Sequence, residues 1–107
     1  MTQFNRREKA FEAKFQQDQE LQFKVKARRN KMLGLWVAEK IGLSGGDADA
    51  YAKEVVVSDF DEPGDNDVVR KVMADLQGKD VEVSERAVRR EMEILLDKAK
   101  QEFLDKA

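Results

Sequence analysis

The chain has 107 residues, 41% of them hydrophobic and 39% charged, a formal charge of −2, and neither cysteine nor histidine. That is one domain's worth of sequence, and a chain this size buries only about 60–70% of the surface its unfolded form exposes, so a long polar segment can stay outside the core. The missing residue types exclude disulfides, thiolate nucleophiles, tetrahedral zinc sites and imidazole acid–base chemistry.

The 20 basic residues are interleaved with 22 acidic ones. No phosphate-tracking stripe separates out, and a nucleic-acid partner is not expected. No apolar run approaches the roughly 20 residues that cross a bilayer. The start, Met1-Thr2-Gln3-Phe4-Asn5-Arg6-Arg7-Glu8, lacks the apolar stretch of a secretory signal. The expectation is a soluble, cytoplasmic protein with no direct membrane insertion.

The first helix is expected to begin near Asn5 or just before it, Asn5 with Glu8 resembling a capping box, and to run to about Lys40, either unbroken or as two helices with a hinge. Its character changes along its length. Phe4, Phe11 and Phe15, spaced by seven and four, draw a narrow aromatic seam on an otherwise charged segment. Gln16-Gln17-Asp18-Gln19-Glu20 then offers no apolar anchor, before Leu21, Val25, Met32, Leu33, Trp36 and Val37 resume a stripe dense enough for a core. The first part can therefore detach without unfolding the rest. Gly34 is carried inside the helix by this pattern, and Gly42 ends it as the left-handed residue.

A second helix, about 48–58, is capped by Ser44 or Asp47 and faces inward with Ala48, Tyr51, Ala52, Val55 and Val56; Val55-Val56-Val57 makes a short strand the competing local choice. Phe60-Asp61-Glu62-Pro63-Gly64-Asp65 reads as a turn. From Asp65 or Asn66 to about Gln77 a third helix buries Val68, Val69, Val72, Met73 and Leu76, and Gly78 stops it. Ser84 caps the last helix, with Val83 and Val88 as a hydrophobic staple, and Val88, Met92, Leu95, Leu96, Ala99 and Phe103 form its apolar face to about Leu104. Loops of roughly 5 to 8 residues favour near-neighbour packing. The fold class is all-α: a small four-helix bundle-like domain with a long N-terminal helix whose first part can detach.

Candidate chemistry is sparse. The hydroxyls are Thr2, Ser44, Ser58 and Ser84, and none has an evident base, so the chain reads as a binding protein and not an enzyme. Asp59, Asp61, Gly64, Asp65 and Asp67 fit part of a calcium-loop spacing, but Pro63 occupies its fifth position and Arg70 stands where a bidentate Glu is required; no metal site is expected. Gly42-Leu43-Ser44-Gly45-Gly46-Asp47 lacks the Lys and Ser/Thr of a phosphate-binding loop. No cofactor is required, and weak nucleotide binding at a helix N-terminus stays open without assignable residues. The block Lys24 to Lys31 reads as a solvated basic face, and Trp36 as part of the core.

The segment Met1-Thr2-Gln3-Phe4-Asn5-Arg6-Arg7-Glu8-Lys9-Ala10-Phe11-Glu12-Ala13-Lys14-Phe15, followed by Lys26-Ala27-Arg28-Arg29-Asn30-Lys31-Met32-Leu33-Gly34-Leu35-Trp36, resembles the zeta subunit family of alphaproteobacterial F-type ATP synthases. The likeness continues through Tyr51-Ala52-Lys53-Glu54-Val55-Val56, the acidic Pro-Gly turn, Val83-Ser84, Arg89 and Arg90. The resemblance implies a four-helix protein that binds the catalytic head of the synthase and blocks ATP hydrolysis. Its partners would be the alpha, beta and gamma subunits, and its location peripheral to the inner membrane through the synthase. It also implies an N-terminal inhibitory segment, residues 1–18, with Phe4, Arg6, Arg7, Glu8, Phe11, Lys14 and Phe15 on the partner, and a helical body over 19–107. The alternative is a non-inhibitory helical adaptor or nucleotide-sensing regulatory protein, with the aromatic seam packed permanently on its own bundle.

Overall fold

A computed structural model describes residues 2–59 and 64–106, the side chains of residues 2–5 excepted. The turn expected at Phe60 to Pro63 lies outside the described residues, apart from its Gly64-Asp65 end. Five helices follow in order: α1 (Thr2–Gln17), α2 (Gln19–Lys40), α3 (Gly45–Ser58), α4 (Asn66–Gly78) and α5 (Glu85–Lys106). The described residues are all-α, and the valine run lies in helix.

The long N-terminal helix is broken once, at Asp18, whose backbone is extended (φ −104°, ψ 104°). Its carboxylate accepts a hydrogen bond from the Leu21 amide at 3.1 Å, so Asp18 is the N-cap of α2. The break falls in the polar Gln16–Glu20 stretch, where no apolar anchor resists it. At the other boundary α1 begins at Thr2, so Asn5 lies within the first helical turn and does not cap it.

α2 is the spine against which α1, α3, α4 and α5 all pack. Its crossing with α3 is set by Gly34, where a Cβ would stand 2.6 Å from the Ala52 Cα. The missing side chain lets the two backbones approach this closely, which explains a glycine in the middle of a helix where it otherwise costs about 1 kcal/mol. The main core closes around this crossing: Leu33, Val37, Tyr51, Val55, Val68, Val72, Leu76, Val88, Met92 and Leu95 are all buried. Trp36 packs half-buried against it, with the Lys40 ammonium 4.5 Å from the ring centroid.

The helix ends follow local chemistry, with two departures from expectation. α2 closes as expected in a Schellman motif: Gly42 takes φ +84°, Leu43 N–H donates to the Ala38 carbonyl at 2.8 Å and Gly42 N–H to that of Glu39 at 3.3 Å. α4 ends the same way, but Gly78 is still helical and Asp80 takes the left-handed position at φ +56°, with Val81 donating to Leu76 and Asp80 to Gln77. The signal followed the glycine; the chain runs two residues further because Val81 then packs on the core. Ser84 caps α5 through its Oγ, which accepts from the Ala87 amide at 3.0 Å. Ser44 stands at the N-cap of α3 with no side-chain cap bond, and that helix starts at Gly45, a turn earlier than expected.

The reading of Lys24 to Lys31 as a solvated basic face is corrected: Arg29 and Asn30 are among the most buried residues, at 2% and 1% exposure. Arg29 donates to both Asp65 oxygens (2.8 and 3.3 Å) and to Asn30 Oδ1, and Asn30 donates to Asp59 Oδ2 at 3.0 Å. Burial pushes the Asp59 carboxyl up from its ordinary value, against the hydrogen bond from Asn30 and the Arg29 charge. These bonds tie the end of α3 and the start of α4 to α2, and they occupy two of the carboxylates that the calcium-loop spacing drew on. A second polar clamp joins α3 to α4. The Tyr51 hydroxyl donates to Asp75 at 2.8 Å, and Lys71 bridges Asp75 and Glu54. Burial, then Asp75, pushes the Tyr51 phenol well above its ordinary range.

Replacing Gly34 by Ala should cost about 1–3 kcal/mol, because the added carbon meets backbone that yields only if α2 and α3 separate. Asp80→Gly should instead stabilise by about 0.5–1 kcal/mol by relieving a left-handed side-chain-bearing residue. Thermal denaturation of both variants checks these opposite signs.

Candidate functional site

The N-terminal segment with the aromatic seam is α1, and it lies folded back along α5 and the start of α2. Phe15 is 7% exposed in a small second core with Val25 and Ala99, against which Phe11, Leu21, Met32, Leu96 and Phe103 pack half-buried. Met32 packs against both cores. Burying a Phe side chain is worth about 1.5–3 kcal/mol, so one buried and one half-buried ring suffice to dock a short helix without making it permanent.

Polar contacts hold the same line. Lys100 on α5 places its ammonium 4.3 Å from the Phe15 ring centroid and pairs with both Glu12 oxygens at 3.2 Å. Glu12 also accepts from Gln16 at 2.9 Å. The bond from Gln16 is the largest influence holding its carboxyl below the ordinary carboxylate value; burial opposes it, and Lys100 adds smaller lowering through its hydrogen bond and its charge. The Arg7 guanidinium donates to the Leu104 carbonyl at 3.1 Å, near the C-terminal end of α5 where helix carbonyls lack intrahelical donors.

Open grooves flank this line on both sides. One, between α1 and α5, has a volume of about 460 Å³ and is walled by Glu8, Lys9, Phe11, Glu12, Asp97 and Lys100 among others. The other, about 600 Å³, is lined by Ala10, Phe11, Leu21, Phe103 and Leu104 and edged by Arg7, Lys14 and Lys106. Of the candidate residues, Arg6, Arg7, Glu8 and Lys14 are exposed, Phe11 is half-buried and Phe15 is buried; the Phe4 side chain lies outside the described residues. Sequence reasoning missed Glu12, Lys100 and Leu104 as the arm's own docking contacts. Their pairing spans 88 residues of chain, which no local spacing encodes.

Among the described residues no group of three or more His, Cys, Asp or Glu could hold a metal ion. Among the described residues, too, no helix is long and apolar enough to cross a membrane. The fold and site together define a small all-helical binding protein with a side-docked helical arm. A family model described as ATPase inhibitor subunit zeta matches residues 1–102. The chain belongs to the ATPase inhibitor subunit zeta family, as the resemblance of its N-terminal blocks implied, and is accordingly regulatory and not catalytic. A solved structure, described as a solution NMR structure of a protein, is 52% identical with a TM-score of 0.72, covering 81% of this chain and 99% of its own length. No curated protein matches the chain.

Of the influences that hold Glu12 below its ordinary value, Gln16 lies on α1 itself and only Lys100 lies across the contact with α5; the Lys100 share supports docking above the ordinary carboxylate range and is lost as pH falls through the depressed value. The ring resonances of Phe11 and Phe15, followed by NMR as pH is lowered from about 6 to 3, should move toward solvent-exposed positions while that of Tyr51 holds. Rings that stay fixed together would show that the Glu12–Lys100 pair contributes nothing to docking.

Proposed function

We propose that this protein inhibits ATP hydrolysis by the catalytic head of an F-type ATP synthase by inserting α1 between catalytic subunits near the rotor, with the alpha, beta and gamma subunits as its partners. Family membership supports the inhibitory role. The observation that carries the arm as its agent is the way α1 is attached: a single line of contact through Phe11 and Phe15, open grooves on both sides, and a one-residue break at Asp18.

In the inserted state residues 1–18 are the inhibitory unit and 19–107 the body that limits how far the arm enters. Phe4, Phe11 and Phe15 are the apolar anchors; Arg6, Arg7, Glu8 and Lys14 supply charge around them. The arm obstructs the conformational cycle sterically and needs no cofactor. The protein sits on the cytoplasmic side of the inner membrane through the synthase.

ATP hydrolysis by the cognate solubilised head, titrated with the full chain and with a chain lacking residues 1–17, tests this directly. Saturable inhibition that disappears with the arm is the expected result. Inhibition that survives the truncation would move the activity to the body. Among point variants, Phe11→Ala should weaken inhibition by about tenfold, since part of that ring has still to be buried by the partner. Phe15→Ala should cost less, because the docked free state loses the same contacts, and Lys14→Ala least, within about threefold.

A second reading is favoured by the burial of Phe15 against the body: an adaptor whose seam never leaves its own bundle. Amide exchange across Phe11 to Phe15 as slow as in α3 would support it, and faster local exchange a releasable arm.

A further inference from the structure

The break between α1 and α2 is held by two side chains that each replace backbone hydrogen bonds of a continuous helix. In an unbroken helix the Phe15 and Gln16 carbonyls would accept from the amides of Gln19 and Glu20, and the Gln17 carbonyl from that of Leu21. Here Gln22 Nε2 donates to the Phe15 carbonyl at 2.7 Å and to that of Gln16 at 3.2 Å, while the Leu21 amide is taken by Asp18 Oδ1. The helical bonds on either side, Asp18 N–H to Lys14 and Gln22 N–H to Asp18, are intact at 2.8 and 3.0 Å. Only one residue's backbone has to change for the two helices to become one. The surrounding Gln-Gln-Asp-Gln-Glu contains no glycine, proline or β-branched residue to resist it.

The sequence phase supplies an independent observation. At 100° per residue, positions 4, 11, 15, 22, 29 and 33 fall within about 40° of one another, so the aromatic seam of α1 runs in register into the buried Arg29 and Leu33 of α2. A flexible tether between arm and body would need no such register.

We propose that Asp18 and Gln22 form a two-state joint: kinked, with α1 docked on α5, or straight, with α1 and α2 fused into one rod of about 58 Å over residues 2–40. In the straight state the seam overhangs the body on the side of α2 that faces the core. The arm is presented as a rigid, prefolded anchor for a groove in the partner, a purpose that rests on the inhibitory reading. Ordering of a disordered tail is then not part of binding.

The chain lacks cysteine, so spin labels at Lys9→Cys and Gln101→Cys, both on the rim of the α1–α5 cleft, report the joint by pulsed electron resonance in the full chain. Asp18→Ala with Gln22→Ala removes the kink's caps and leaves a straight helix undamaged. The straight-to-kinked ratio should rise about tenfold or more, loss of one cap alone being worth roughly fivefold. The new distance should be narrow, longer by about 15 Å or more, with no loss of helical circular dichroism. Gln19→Pro locks the kink, since proline fits the first position of α2 after an extended Asp18 but breaks a continuous helix. It should abolish the long distance and slow the onset of inhibition at least tenfold.

A broad long distance with loss of helix would overturn the joint in favour of a flexible tether, as would a distance unmoved by the double variant. If the long distance appears and Gln19→Pro still inhibits at the normal rate, straightening is not the route to the inhibited state. Failure of the unmodified chain to inhibit would sink the inhibitory reading alone, because the distances stand without it.

Discussion

Four helices pack on α2, and the closest of them can do so only because residue 34 has no side chain. The Gly34–Ala52 approach fixes how deeply α3 sits on the spine. The depth of α3 in turn sets where Val55 and Tyr51 meet Val72 and Leu76 of α4, and the Arg29–Asp65 and Asn30–Asp59 bonds then fix the end of α3 and start of α4 against the same spine. α5 closes the remaining face with Val88, Met92 and Leu95. A buried arginine at the base of this arrangement is tolerable because its guanidinium is bonded to a half-exposed carboxylate and to Asn30, so its charge is neither unpaired nor fully desolvated.

α1 stands apart from that logic. Its rings enter a second, smaller core, joined to the first through Met32, so α1 can leave at the expense of Phe15, Phe11 and a few polar contacts without opening the main core. The division is between a body with its own closed core and an arm held on one side by two rings and a few polar contacts, and the arm is the part that can open locally first.

Much of this was legible in the sequence because it rests on local periodicity. The seam of Phe11 and Phe15, the inward faces of α3, α4 and α5, the Gly42 terminus and the Ser84 cap all follow from spacing over a turn or two. What was not legible depends on partners far along the chain. Arg29 and Asn30 look like any residues of a basic helix face until Asp65 and Asp59, 36 and 29 positions away, are brought to them. The break at Asp18 was allowed but not assigned, because its residues suit a helix and a cap equally. The left-handed Asp80 was hidden by Gly78, the more usual choice two residues earlier.

The double role proposed for Phe15 bears on how such a protein can vary over time. A ring that serves only the body can be exchanged for another of similar volume when its neighbours drift, as the valines of the main core can. In the proposed mechanism Phe15 answers to two surfaces, its own groove on α5 and whatever receives the arm. A change that tightens one by the same amount as the other leaves the balance between idle and engaged forms where it was. Under the proposed mechanism, potency is therefore best tuned at residues that touch only one of the two, such as Lys100 and Phe103, which belong to the groove and not to the arm.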